Sequence, residues 1–503
     1  MFLEKLGTMG RGDDMKKRGW ILFFLFVWAF LGIGGRLAYV SLGTSYQKTA
    51  LGQSSFVVVV DMPRGTVFDR TLTPITNGEW VEKTGGVAGG RSVMCRQGFS
   101  HCQPACHLVG YLQENRGVSG LQKGYDGLLQ GTPTTVTYLK NGAGGILQGA
   151  SPVVEQNPLV YEKGVVTTLW LPLQQAVEGV FPSGKRGTVV VSRVGSGELL
   201  AGASFPAFSP LDISASLANT ASPFLNRMLT PYNLGSVFKL VVAAAALEQG
   251  ISADFSYICT GEIGAGQKFS CHKAQGHGQL NMKEALAVSC NPYFIHLAET
   301  VGSAAVHQMA TALGFGLSTP LCDGIVGEGG SLPEEKELNS AAALANFAIG
   351  QGKLLATPLQ VQTLTCAIAS GGVVFPQSLV VGTRNEKGKV TYQKGREGRR
   401  VMGSATAQAL QEMMQGVVTL GTGVKGYYEP LAGAGKTSTA QTGMVDARGQ
   451  GVTQAWFTGF LPAKNPLYGV TILVEGGSSG GEDAAPIFYE LCKIIEQEGL
   501  LRE

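Results

Sequence analysis

Strong charge of either sign is missing from this sequence: 39 Lys and Arg against 36 Asp and Glu leave a net charge of +3. Nor does any basic tract interleaved with aromatics occur that would track a phosphate backbone, so nucleic acid is not an expected partner. A nucleotide loop is missing as well. The stretch GAGKTSTAQTG, residues 433–443, holds a Lys-Thr pair, but a phosphate-cradling loop needs a Gly where Pro430 stands and a helix opening at Lys436. Thr437, Thr439, Thr442 and Gly443 suit a strand or turn instead. The low hydrophobicity that marks disorder is also absent. With 44% hydrophobic residues, the 72 glycines point to turns and close backbone approaches in ordered, β-rich structure. At 503 residues the chain exceeds one ordinary core, and at least two folded units are expected.

One long apolar run is present. WILFFLFVWAFLGIGG, residues 20–35, continues past Arg36 into LAYVSL and is long enough to span a bilayer. Its length exceeds the apolar core of a cleaved leader, and no clear small-x-small cleavage site follows, so it reads as an uncleaved anchor over residues 20–42. Lys5, Arg11, Lys16, Lys17 and Arg18 precede it while Arg36 and Lys48 follow, which predicts a cytoplasmic segment 1–19 and an extracytoplasmic remainder.

All nine cysteines lie beyond the anchor. An odd count leaves at least one thiol unpaired, and Cys259 with Cys271, flanking a Gly-rich turn, form the pair expected to make a disulfide. The cluster Cys95, His101, Cys102, Cys106, His107 matches no zinc-finger spacing and is read as disulfide or free thiols rather than a metal site.

After the anchor, the strand-like FVVVVDM leads into a stretch broken by Gly, Pro and Asn, read as an irregular β-rich module over residues 43–160. A second domain, 161–503, follows. VVTTLWLPLQQAVEGVF predicts a strand running into a helix, and GTVVVSRVGSGELLAGASF two strands joined by a Gly-Ser-Gly turn. VFKLVVAAAALEQG and MKEALAVSCNPYFIHLAETVG supply helices; QAWFTGFLP and LYGVTILVEGG supply closing strands before a last helix. The expected class is α+β, with a sheet completed by the C-terminal strands.

Serine acyl-transfer enzymes of one kind carry three separated elements, S-x-x-K, S-x-N and K-T-G. S-x-x-K occurs at Ser45 to Lys48, Ser236 to Lys239 and Ser270 to Lys273; only Ser236 follows a turn signal and opens a helical run, with Lys239 one turn later on the same face. S-x-N occurs at Ser289-Cys290-Asn291. The literal Lys83-Thr84-Gly85 precedes the serine, so Lys436-Thr437-Ser438 is the better third element. Taken singly, each is as well explained by a cap serine or an exposed strand lysine. The ordered set is not.

With these elements in place the chain resembles the class B penicillin-binding proteins, monofunctional peptidoglycan D,D-transpeptidases, and most of all their short Gram-positive group lacking C-terminal extra domains. Arg64-Gly65 to Asp69-Arg70 and GVSGLQKGYDGLLQG resemble the membrane-proximal pedestal; LNRMLTPYNLGSVFK, SCNPYF, AIGQGKLLATPLQ and GKTSTAQ with AWFTGFLP resemble the transpeptidase domain in order. Three departures stand out: Gln122 for the usual Glu, Trp170 for an Asp, and Ser438 for the usual Gly. The resemblance implies a serine acyl-enzyme at Ser236 with Lys239 as base and Ser289 relaying a proton to the leaving amine. Asn291 would hold the substrate amide, and Lys436, Thr437 and Ser438 the terminal carboxylate. The N–H groups of Ser236 and Thr439 would form the oxyanion hole. It further implies stem peptides as substrate, covalent β-lactam binding, no cofactor, and a multi-spanning glycosyltransferase partner of the shape, elongation, division and sporulation family. Rival functions for such a site are a D,D-carboxypeptidase, a membrane-anchored β-lactam sensor or β-lactamase, and a catalytically idle cell-wall scaffold; a sensor would be expected to carry further spans.

Overall fold

The computed structural model describes residues 9–42, 54–61, 63–77, 80–83, 93–96, 103–141, 143–155, 158–264, 267–445 and 449–501. The described chain begins with a helix, Met9–Leu42, of 34 residues. Its segment Met15–Leu42 contains an 18-residue stretch of mean hydropathy 2.0, none of it buried. At 1.5 Å rise per residue the whole segment runs about 42 Å, more than the roughly 30 Å of a bilayer's hydrocarbon core. A single membrane anchor is what this length and composition suit.

Two compact units follow from the contacts: Met1–Pro63 with Gly131–Pro158, and Arg64–Gln130 with Leu159–Glu503. In the first, Thr134–Leu139 lies between Ser55–Asp61 and Val153–Glu155 in an antiparallel sheet, with Phe56 stacked on Tyr138 at 5.4 Å. Aromatic cross-strand pairs of this kind contribute roughly 0.2–1 kcal/mol.

In the second unit, residues 64–130 do not build a core of their own. Thr66–Phe68 pairs in parallel with Gly164–Thr167, in a four-stranded sheet shared with Val380–Arg384. Val67, Leu108, Leu121 and Leu129 are buried with Val165, Leu169, Val190 and Leu379 in one apolar cluster. Arg64 holds this segment together. Its guanidinium pairs with Asp126 at 2.8 Å and donates to Gln122 Oε1 at 3.2 Å and to Asn115 O at 2.8 Å. Gln122 thus meets Arg64 through its amide oxygen, and Asp126 supplies the charge. Asp69, fully buried, accepts from the backbone of Thr71 and Thr73, and its second oxygen accepts from Leu171 N at 3.2 Å. That bond caps the helix Leu171–Val180, whose N-cap residue Trp170 offers no side-chain cap of its own.

The main sheet has five strands in the order Leu199–Phe205, Arg186–Arg193, Tyr468–Glu475, Gly451–Leu461, Ala434–Val445. Every pairing is antiparallel, and the C-terminal strands complete the sheet as the sequence predicts. Among the described residues, the Ala434–Val445 edge has no further strand on one side. One face packs on the helices Leu171–Val180 and Ala485–Gln497; the other faces a helical core that includes Lys239–Glu248, Asn291–Val301 and Ser404–Thr419.

Candidate active site

The segment ahead of Ser236 is held from below. Arg227, 1% exposed, reaches Glu475 at 2.8 Å and the carbonyls of Ala221 and Ser222, while Tyr232 donates to the same carboxylate at 2.8 Å. Buried Trp456 donates its indole N–H to Asn233 O at 2.9 Å. Gly235 then turns the chain with φ +57°, and its N–H donates to Gly350 O at 2.8 Å. A Cβ here would lie 2.5 Å from Ser438 Oγ, so the position takes only glycine. Ser236 sits in a single 3-10 turn, Gly235–Phe238, that runs straight into the helix Lys239–Glu248. This puts Lys239 one turn beyond the serine.

The Ser289-Cys290-Asn291 element is not part of a continuous helix. The helix Met282–Ala287 ends short of it, and Ser289 takes φ +57°, a left-handed conformation rare outside glycine, before Asn291–Val301 begins with Pro292 in its first turn. The kink aims both oxygens of Ser289 at one cation. Lys239 Nζ has three donors and sends them to Ser289 O at 2.7 Å, Ser289 Oγ at 3.2 Å and Asn291 Oδ1 at 2.7 Å. Lys436 Nζ donates to the same Ser289 hydroxyl at 3.1 Å and to Thr437 O at 2.8 Å. One hydroxyl therefore joins two lysines.

Both lysines are fully buried. Burial pulls the Lys239 ammonium down to about 7, and burial, then the charge of Lys239, holds Lys436 well below its ordinary range. The like-charge effect thus falls on Lys436; for Lys239 burial alone accounts for the shift. Thr437 and Ser438 are buried on the strand, Thr437 bonded to Thr422 Oγ1 and Ser438 donating to Leu234 O at 2.7 Å, while Thr439 is exposed. Asn291 also donates to Ser270 O at 3.3 Å, so the second Ser-x-x-Lys lies beside the site without supplying its lysine contacts. Ser45, Lys48, Thr84, Gly85, His101 and Cys102 fall outside the described residues. Cys106 and His107 are buried neighbours, Sγ to Nδ1 3.4 Å, with His107 Nε2 2.6 Å from Pro223 O. Cys259 and Cys271 do come together, yet both thiols are free.

Sequence reasoning missed Arg227, Glu475, Trp456 and Thr422. Their links to the site cross up to 248 residues, and no local pattern signals them.

A Ser-x-x-Lys at a helix start, a kinked Ser-x-Asn and a Lys-Thr-Ser edge strand around a five-stranded sheet define the penicillin-recognising class. Comparison with known proteins agrees. Residues 187–493 match the penicillin binding protein transpeptidase domain family. Penicillin-binding protein PbpB of Mycolicibacterium smegmatis is 29% identical over 78% of this chain and 63% of its own length, and stage V sporulation protein D of Bacillus subtilis is 27% identical over 77% and 62%. The chain thus spans a little over three-fifths of the length of these curated relatives. The aztreonam complex of penicillin binding protein 3 from Mycobacterium tuberculosis superimposes with TM-score 0.69 at 26% identity, over 88% of this chain and 98% of that one. The D,D-transpeptidase domain of a peptidoglycan glycosyltransferase from Eggerthella lenta gives 0.68 at 25%, over 87% and 99%. The chain belongs to the penicillin-binding protein transpeptidase family, as a class B member.

Proposed function

We propose that the protein is a peptidoglycan D,D-transpeptidase that forms a serine acyl-enzyme at Ser236. The observation that carries this reading is the Ser289 hydroxyl shared by two buried lysines, one of them a turn beyond Ser236. A lysine brought down to about 7 is half neutral near physiological pH and can take the proton of Ser236 as Oγ attacks the penultimate D-Ala carbonyl. Substrate entry would replace one of the bonds Lys239 makes to Ser289 and Asn291, freeing it for Ser236. The N–H groups of Ser236 and Thr439 then hold the oxyanion, each such donor being worth about 2.7–4 kcal/mol. The proton returns through Ser289 to the departing D-Ala amine, and a second stem peptide's amine takes the acyl group. Asn291 holds the substrate amide; Lys436, Thr437 and Ser438 hold the terminal carboxylate. The unpaired edge Ala434–Val445 supports this placement, because an extended peptide can add to it as a further strand.

The same reading takes β-lactams as acylating agents, residues 43–160 as a pedestal and residues 161–503 as the transpeptidase domain. It places the N-terminus in the cytoplasm and the catalytic domain outside, and takes a multi-spanning glycosyltransferase of the shape, elongation, division and sporulation family as partner.

A fluorescent penicillin tests the chemistry. Label should map to Ser236 by mass spectrometry and persist through a chase with unlabelled drug, and Ser236→Ala should abolish it, a loss on the order of 10⁶ in rate for a nucleophile of this kind. Release within seconds would make the protein a β-lactamase. Label on Ser45 or Ser270 would overturn the site.

A further inference from the structure

Three side chains of the loop 259–277 and one from the Ser-x-Asn kink converge on a group that acyl transfer does not use. Sγ of Cys259, Cys271 and Cys290 and a ring nitrogen of His277 all lie within 4.8 Å of one another. The three cysteines are buried, Cys290 completely, and His277 is half-buried with Nδ1 3.3 Å from Cys271 Sγ. We propose that these four side chains bind one structural zinc ion.

The donor set is the first reason. Three thiolates and one imidazole form one of the closed tetrahedral sets that structural zinc takes, and soft sulfur ligands disfavour magnesium and calcium. Distance is the second. Ligand atoms about 2.3 Å from a tetrahedral ion stand roughly 3.7 Å apart, so the four need only draw in slightly. The backbone gives a third. Cys259 ends the strand Tyr257–Cys259, which pairs with Gly278–Leu280 just after His277, and Cys271 follows Phe269–Ser270 and donates its N–H to Gly261 O at 2.8 Å. Gly276 closes the loop with φ +76°, where a Cβ would lie 2.1 Å from Cys259 O. Binding would release the three thiol protons to solvent, leaving neutral His277 as the fourth ligand.

The consequence concerns Cys290. It lies between Ser289 and Asn291, the two residues that hold Lys239. An ion on Cys290 would tie the Ser-x-Asn kink to the loop 259–277 and fix the turn in which Ser289 is strained. This positioning role rests on the acyl-transfer reading; the presence of zinc does not, so the two can fail separately.

The full-length protein, purified in detergent without a metal-affinity tag, should carry about one zinc per chain by elemental analysis. Replacement by cobalt(II) should give the visible absorption of a tetrahedral centre with thiolate-to-metal charge transfer. Cys271→Ser and His277→Ala should each lower zinc occupancy at least about tenfold, and the half-buried histidine serves where the buried cysteine compromises folding. Stripping the zinc with 1,10-phenanthroline should slow penicillin labelling of Ser236 and leave the labelled residue unchanged. A wild-type protein without zinc that shows a disulfide among Cys259, Cys271 and Cys290 on peptide mapping would overturn the proposal. So would full zinc occupancy in a folded Cys271→Ser/His277→Ala double variant. Unchanged labelling after zinc loss would overturn the positioning role alone.

Discussion

Ser438 departs from the family's glycine, and its hydroxyl is occupied: it donates to Leu234 O, two residues before Ser236. In the Ser438→Gly variant that carbonyl loses its partner while the strand's own backbone is untouched. The expected result is a protein destabilised by about 1 kcal/mol that still labels at Ser236. Thermal melting and fluorescent penicillin read the two effects separately, and complete loss of labelling in a folded variant would show that the hydroxyl is required for acylation. A second pair of residues sets the acid behaviour. Burial lowers His107 to about 4, so folding favours its neutral form and this contribution is lost as pH falls from 6.5 towards 4. Burial raises Glu178 to about 7, so folding favours its protonated form and this contribution is lost as pH rises from 4.5 towards 7. Each shift corresponds to about 3 kcal/mol, and the two slopes oppose one another between 4.5 and 6.5. Glu178→Gln keeps an acceptor for Ala105 N and removes one slope. Its melting temperature should rise with pH across that window more steeply than the wild type's; a parallel shift at all pH values would refute the coupling.

Among the elements, the ones that sequence made legible are those whose signals are local. A run of three consecutive Val residues and a Gly-Ser-Gly turn announce the hairpin of Arg186–Arg193 with Leu199–Phe205, and an alanine-rich run announces Lys239–Glu248. Pro292 marks a helix boundary, but nothing local shows that Ser289 turns left-handed to face two lysines. Cys259 and Cys271 are legible as neighbours because a short Gly-rich loop joins them. Cys290 is not, since its place inside Ser-x-Asn hides its fellowship with them. The same limit explains Arg227. Its partner lies 248 residues away at the end of Tyr468–Glu475, and the pair fastens the approach to Ser236 onto the sheet. Breaking a buried pair costs up to about 3–5 kcal/mol, and less than that here, because Tyr232 and Arg186 still hold the Glu475 carboxylate. Arg227→Met should therefore melt below the wild type, and Arg227→Met/Glu475→Leu should recover part of the loss. A double variant no more stable than the single one would show that the pair is not what holds this segment.

At the scale of the whole molecule, the proposed acyl transfer requires that the residues around Ser236 and the peptidoglycan share one side of a membrane. The anchor helix does not decide this by itself, because a run of apolar side chains inserts equally well in either direction. Charge does. Lys5, Arg11, Lys16, Lys17 and Arg18 crowd the N-terminal side, against Arg36 and Lys48 beyond, and basic residues close to a span are retained in the cytoplasm. Asp and Glu contribute little to this bias, so Asp13 and Asp14 do not offset it. Protease added to intact protoplasts should digest everything past the anchor and leave a small membrane-embedded fragment, whereas a cytoplasmic catalytic domain would stay intact until the cells were lysed. The decisive variant replaces Lys16, Lys17 and Arg18 with Gln and adds three Lys after Leu42. If charge sets the orientation, part of the population should become protected; if the variant is digested as fully as the wild type, something other than these residues directs the chain outward.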